Sequence, residues 1–347
     1  MLHKVALLIK TIIAPEFIAV EAAQEWAQAR RIVKQCSEST SGELKLIHAF
    51  YIGMLGIRYR IPSDDGRGPT RVLWPTQFIW LLQNEHIVWD NLQDWGLSEE
   101  LINDKSNADS MAKLIALGGV AKFSIECILR VYHRLPISAL ESMTLGYIPL
   151  FALSYFFWWL KPKDIDTPSV IYLPPLSHAD REMFDSYALS DAFDDDSKLH
   201  QGSVSGAWRL MPRDFEQEAV QQEAIDTQNS RFGQGRLISH WDPDLYHSKL
   251  WPITCLFGIS FGALHLASWD IVFPTIFEQW TWRASAIISM VAMLVFMQFQ
   301  KVILDWRKPV TIICMVSVIF YLLSRVGAIV EAFSSLRASD PADYYTP

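Results

Sequence analysis

The sequence has no Cys-x-x-Cys pair; its four cysteines, Cys36, Cys127, Cys255 and Cys314, are scattered over 347 residues. That spacing supports neither a thiolate zinc site nor a disulfide framework, and it reads as buried structural thiols. There is no GxxxxGK[ST] loop, no HExxH helix, no GxSxG elbow and no Gly-rich nucleotide unit after a strand. The usual sequence marks of a nucleotide enzyme, a zinc protease or an elbow hydrolase are therefore missing. No DDxxD run falls in an apolar block, and the acidic triplet Asp194 to Asp196 lies in a polar stretch, which disfavours an enzyme that holds diphosphate through magnesium. Positive charge is scarce as well. With 30 Lys and Arg against 38 Asp and Glu, the net charge of -8 leaves no basic stripe to neutralise phosphates, so no nucleic-acid partner is expected. Nor is there a cleavable leader pattern, because Lys10, Pro15 and Glu16 interrupt the N-terminal apolar block.

Apolar residues, by contrast, make up 50% of the chain, and they are grouped. Blocks at Met111–Leu129, Ser138–Leu160, Leu250–Trp269, Arg283–Leu304 and Val310–Phe333 approach the length needed for a span. A hydrocarbon core of about 30 Å takes about 20 helical residues to cross. The sequence thus predicts an all-α integral membrane helical bundle of about five or six transmembrane helices, with two large polar extramembrane segments and the lipid bilayer as its surroundings. The expected divisions are a short spanning or interfacial helix at 1–20, an aromatic-rich extramembrane segment at 21–110 and a two-span hairpin at 111–160. A polar loop at 161–249, a three-span bundle at 250–333 and a tail at 334–347 follow. Trp158 and Trp159 read as interface anchors, with Lys161 as a headgroup contact, and the basic DWRKP turn at 305–309 favours the cytoplasmic side.

Several constellations could carry chemistry. HWDPDLYH sets His240, Asp242, Asp244 and His247 within eight positions, ligand types suited to zinc, manganese or iron, although histidines seven apart match no strong metal signature. SHADRE places His178, Asp180 and Glu182 at alternating positions, on one side if the segment is extended. His265 shares a block with Gly258 and Gly262, a small-x-x-x-small pattern that admits a close neighbouring helix. The candidate catalytic residues are His265, Asp270 and Glu278; the latter two border the tryptophan-rich WDIVFPTIFEQWTWR. Glu126, Glu141, His265, Arg325 and Glu331 are the polar groups expected inside the bundle. Arg325 needs a partner, for which Glu16, Glu126 and Glu141 are candidates. No cofactor is implied.

IIAPEF at 12–17, IHAFYIGMLG at 47–56, INDKSNADSMAKLIAL at 102–117, LPISALESMTLGY at 135–147 and WWLKPKDIDTP at 158–168 together carry a resemblance. So do FGALHLASWDIVFPTIFEQWTWRAS and SRVGAIVEAFSSLRASDPADYYTP near the end. Through these segments the chain resembles a broad family of filamentous-fungal multi-pass membrane proteins with no settled activity, some of them associated with specialised metabolism. The resemblance implies a multi-pass membrane protein and carries over no catalytic residue. Three functions stay open at this point. One is an accessory or scaffold for membrane-associated biosynthetic proteins; the others are a membrane enzyme acting on an apolar small molecule, and a small-molecule transporter or receptor.

Overall fold

The structure, a computed structural model, describes residues 8–9, 11–60, 70–91, 95–106, 110–163, 165, 167–194, 237–238, 250–298, 303–304 and 309–338. The chain forms two compact units. The first comprises residues 1–23, 110–157 and 243–347; the second comprises 24–109 and 158–242.

Helix α1, Pro15–Cys36, starts on a proline whose missing N–H costs nothing at that position. Its residues from 24 onward belong to the second unit. There follow α2 (Leu46–Gly53), β1 (Ile57–Arg60), β2 (Thr70–Val72), α3 (Pro75–Gln83) and α4 (Glu99–Lys105). After residue 158 the same unit adds β3 (Ser169–Tyr172) and α7 (His178–Asp194). The strands form a sheet of order β2-β1-β3, in which β1 runs antiparallel to β2 and parallel to β3, pairing Tyr59 with Arg71 and Ile171. The expectation of an all-α chain is corrected here: IRYR and SVIY alternate buried and part-exposed residues with a period of two, the pattern of a half-covered strand. Tyr51, Phe78, Leu81, Ile102, Ile171 and Phe184 fill the core against this sheet.

The first unit is built on α5 (Ser110–Tyr132), α6 (Ala139–Trp158), α8 (Leu250–Ala267), α9 (Ile276–Gln298) and α10 (Pro309–Ser334). Two of these helices open on the S/T-x-x-E capping box. Ser138 and Glu141 bond reciprocally at the start of α6, Thr275 and Glu278 at the start of α9. α9 lies along both α8 and α10. A Cβ on Gly262 would come 2.9 Å from the Ala286 carbonyl oxygen and 2.2 Å from Met290 Cγ, so α8 and α9 meet closely there only because the residue is glycine.

The five long helices fall where the apolar blocks lie, yet they do not make a five- or six-span bundle. Among the described residues one stretch, Val316–Ala338, is long and apolar enough to cross a membrane, judged by length and composition alone. α5 carries Lys113, Lys122, Glu126 and Arg130, and α9 opens with Glu278 and Arg283. The apolar stretch Leu256–Leu266 of α8 rises roughly 16 Å at 1.5 Å per residue, about half of a ~30 Å core. The expectations of a multi-pass membrane protein, of a bilayer as its partner and of a membrane address are corrected accordingly. With them fall the membrane scaffold, membrane enzyme and transporter or receptor built on that architecture. Trp158 and Lys161 are not interface anchors either. Lys161 is buried and ion-paired with Glu25, and Trp158 Nε1 donates to the same carboxylate at 2.7 Å.

Candidate functional site

The polar groups of the first unit converge on Arg325 of α10. Glu16, on the first turn of α1, accepts from Arg325 Nη2 at 3.1 Å and from the Tyr321 hydroxyl at 2.5 Å. Arg325 Nε donates to the Ile13 carbonyl at 2.9 Å, and Tyr147 of α6 donates to that of Ile12 at 2.5 Å. Arg325 is 2% exposed, and its guanidinium sits over the Phe261 ring, 3.3 Å from the centroid. Burial pushes the Glu16 carboxyl upward, while Arg325 and the Tyr321 hydroxyl oppose that shift. Burial also works against the charged guanidinium, but Glu16, Tyr321 and Tyr147 outweigh it and hold Arg325 above its usual range. A charge removed from water survives inside a protein when it is paired and hydrogen-bonded, which this cluster accomplishes.

His265 adjoins this cluster on α8. It is 1% exposed and stacks between Phe261, at 4.2 Å, and Trp282, at 4.8 Å. Its Nδ1 faces the Phe261 carbonyl at 2.7 Å, which places the ring proton there and leaves Nε2 bare. Gly146 of α6 makes room for it, since a Cβ there would come 3.2 Å from His265 Cε1 and 3.0 Å from Phe261. Among the described residues, His265 Nε2, Trp282 Nε1 and Arg325 Nη1 are buried without a hydrogen-bond partner. Desolvation lowers His265 to about 4, so the ring is neutral at neutral pH.

The second unit holds a different cluster. Lys105, at the end of α4, donates to Ser169 Oγ at 2.7 Å; Ser169 Oγ in turn meets the Tyr51 hydroxyl at 3.0 Å and donates to the Gly96 carbonyl at 3.1 Å. Burial lowers Lys105, and among the described residues no carboxylate pairs with it. An amine beside a hydroxyl is the pairing of an activated nucleophile. Ser169, however, is 3% exposed and its oxygen already has three partners, so the network holds α2, α4 and β3 together and leaves no open face for a reacting atom.

A family model described as "Family of unknown function (DUF8562)" matches residues 4–190. The chain belongs to that family. No curated protein and no solved structure matches it. The matched residues run from α1 through most of α7 and take in Glu16, Glu25, Tyr51, Lys105 and Ser169, whereas His265, Tyr321 and Arg325 lie beyond them. The resemblance to fungal multi-pass membrane proteins is corrected by the helices themselves, because among the described residues one stretch, Val316–Ala338, is long and apolar enough to span.

The residues singled out from the sequence are mostly kept apart. His240, Asp242, Asp244 and His247 lie outside the described residues, and among those described no group of three metal-ligating side chains occurs. Asp270 is exposed in the turn after α8. Glu278 is engaged by the α9 capping box and by Arg337, so neither acid joins His265 in a common contact. Glu126 pairs with Lys122 at 3.6 Å on the exposed side of α5, and Glu141 with Arg130 at 3.6 Å. Glu331 is buried; desolvation raises its carboxyl, as does Glu278, against Arg337. His178, Asp180 and Glu182 are helical, not extended, and His178 faces Glu182 one turn on at 3.6 Å. Cys36 is buried, its thiol pushed up to about 12 by desolvation, and Cys127 is buried as well. Of the three acids weighed as partners for Arg325, Glu16 takes the role. Sequence reasoning missed Lys161 with Glu25 and Lys105 with Ser169, whose members are 136 and 64 positions apart.

His265 gives the first unit a pH dependence of definite sign. Its folded value, about 4, is below the ordinary 6.5, so the stability it contributes is complete above pH 6.5 and is lost as pH falls toward 4. The loss is on the order of 3 kcal/mol. Denaturant unfolding of the first unit at pH 7.5 and pH 4.5 is expected to show that fall in the native chain and a smaller one in His265→Gln. Equal pH slopes in the two chains would mean that the imidazole is solvated.

Proposed function

We propose that the protein acts by binding another polypeptide through apolar helix faces of its first unit, and that the buried Glu16, Tyr321 and Arg325 cluster fixes α10, which presents one of those faces. The observation that carries this reading is where the large apolar side chains are exposed. Ile115, Ile125, Ile128 and Val131 on α5, Ile287 and Val291 on α9, and Leu323 and Val326 on α10 all face outward. Scattered apolar residues on a surface need no explanation, but contiguous patches beyond a few hundred Å² mark binding surfaces. The Glu16 carboxylate, the Tyr321 hydroxyl and Arg325 Nε and Nη2, in contrast, are engaged in holding α1 against α10.

The test is a photo-crosslinking side chain placed at Ile128, at Val326 and, as a control, at exposed Glu38 in the full chain within expressing cells. Polypeptide adducts are expected from the first two positions and not from the third. Adducts no more abundant at Ile128 and Val326 than at Glu38 would refute the reading.

A further inference from the structure

Helix α10 divides into two faces. Tyr321, Ser324, Arg325, Ala328 and Ala332 point into the first unit and are buried. On the other side stand Val316, Ile319, Leu323, Val326, Val330 and Phe333, each between 42% and 63% exposed. Their spacing is three, four, three, four, three, the repeat by which one helix offers knobs to the holes of another helix with the same repeat. Ile313 and Phe320, also about half exposed, lie on the same side, so the apolar strip runs nearly the length of the helix and presents a face that a copy of itself can cover.

Resting on the interaction reading above, we infer that this seam pairs two copies of the chain, α10 against α10, about a two-fold axis. The charged residues of α10, Arg325 and Glu331, are both buried on the opposite face, so two copies would bring no like charges together. Six side chains about half exposed, with Phe320 beside them, place on the order of 600 Å² per copy in the contact. The total of about 1,200 Å² reaches the lower bound for a specific, stable interface. A two-fold contact also closes on itself, giving a dimer and not a filament.

The test is sedimentation of the full chain in detergent-free buffer across a concentration series. The native chain is expected to sediment as a dimer. Leu323→Lys with Val326→Lys is expected to weaken dimerisation at least about 30-fold, while Val88→Lys at an exposed position of the second unit leaves it unchanged. Circular dichroism checks that the helices persist, and Val330→Lys alone, nearer the helix end, serves if the double variant does not fold. A native chain that is monomeric, a seam variant as dimeric as the native chain, or a monomer whose seam carries bound lipid or detergent would each overturn the pairing. A monomer that still yields adducts with a different polypeptide at Val326 would overturn the pairing and leave the interaction reading standing; a monomer with no adduct at Val326 or Ile128 would end both.

Discussion

Glu16→Ala is expected to destabilise the first unit by about 3–5 kcal/mol, the largest effect of any single substitution in that unit. The carboxylate receives both the Arg325 guanidinium and the Tyr321 hydroxyl, and its side chain is 2% exposed. Its removal takes away the carboxylate that balances Arg325 and leaves the guanidinium facing the Ile13 carbonyl and the Phe261 and Tyr321 rings, none of them a counter-charge. The deficit comes from this stranded charge and not from the lost contact itself. A chain in which Glu16, Tyr321 and Arg325 become Leu, Phe and Leu together should therefore recover most of the loss, since burying apolar groups of similar volume in place of an ion pair is often neutral. Chemical denaturation read at Trp282, buried in this unit, checks both chains. A loss below about 1 kcal/mol for Glu16→Ala would be that of a solvated surface pair.

Lys161→Ala is expected to cost the second unit about 3 kcal/mol or more. Lys161 and Glu25 are both buried, and Trp158 donates to the same carboxylate oxygen while its ring lies 4.7 Å from the Lys161 ammonium. Trp158→Phe keeps a ring against the ammonium and removes only the N–H donor, so it should cost about 1–2 kcal/mol. Amide hydrogen exchange, followed separately in α2 and α3 and in α9 and α10, is the suitable measurement because the chain has two units. Faster exchange confined to α2 and α3 is expected; uniform acceleration throughout the chain would show that the pair does not act within the second unit alone.

Helix positions were legible because each depends on neighbours in sequence. The five apolar blocks predicted helices where α5, α6, α8, α9 and α10 lie, and Gly262 was recognisable as a point of close approach. Interpreting those blocks as spans failed for a physical reason. Block hydropathy averages over a helix, whereas crossing a membrane depends on length and on where charges fall, and α5 carries Lys122 and Glu126 well inside the helix. The strands escaped notice because they are three or four residues long, too short for alternation to stand out, and are defined by pairing between residues 57–60 and 169–172. The ionic clusters were only partly readable. Arg325 in an apolar run announced a need for a counter-charge, and Glu16 was among its candidates, but nothing local singles out the carboxylate 309 positions away. Lys161, following two tryptophans, had the composition of an interface anchor, and only the fold reveals Glu25 beside it.

Helix α1 supplies the acids for two buried cations: Glu16 answers Arg325 in one unit, Glu25 answers Lys161 in the other. A transcript variant or proteolytic cut that started the polypeptide at residue 37 would therefore strand two interior cations at once, and the shortened product should be a substrate for quality-control degradation rather than a half-functional protein.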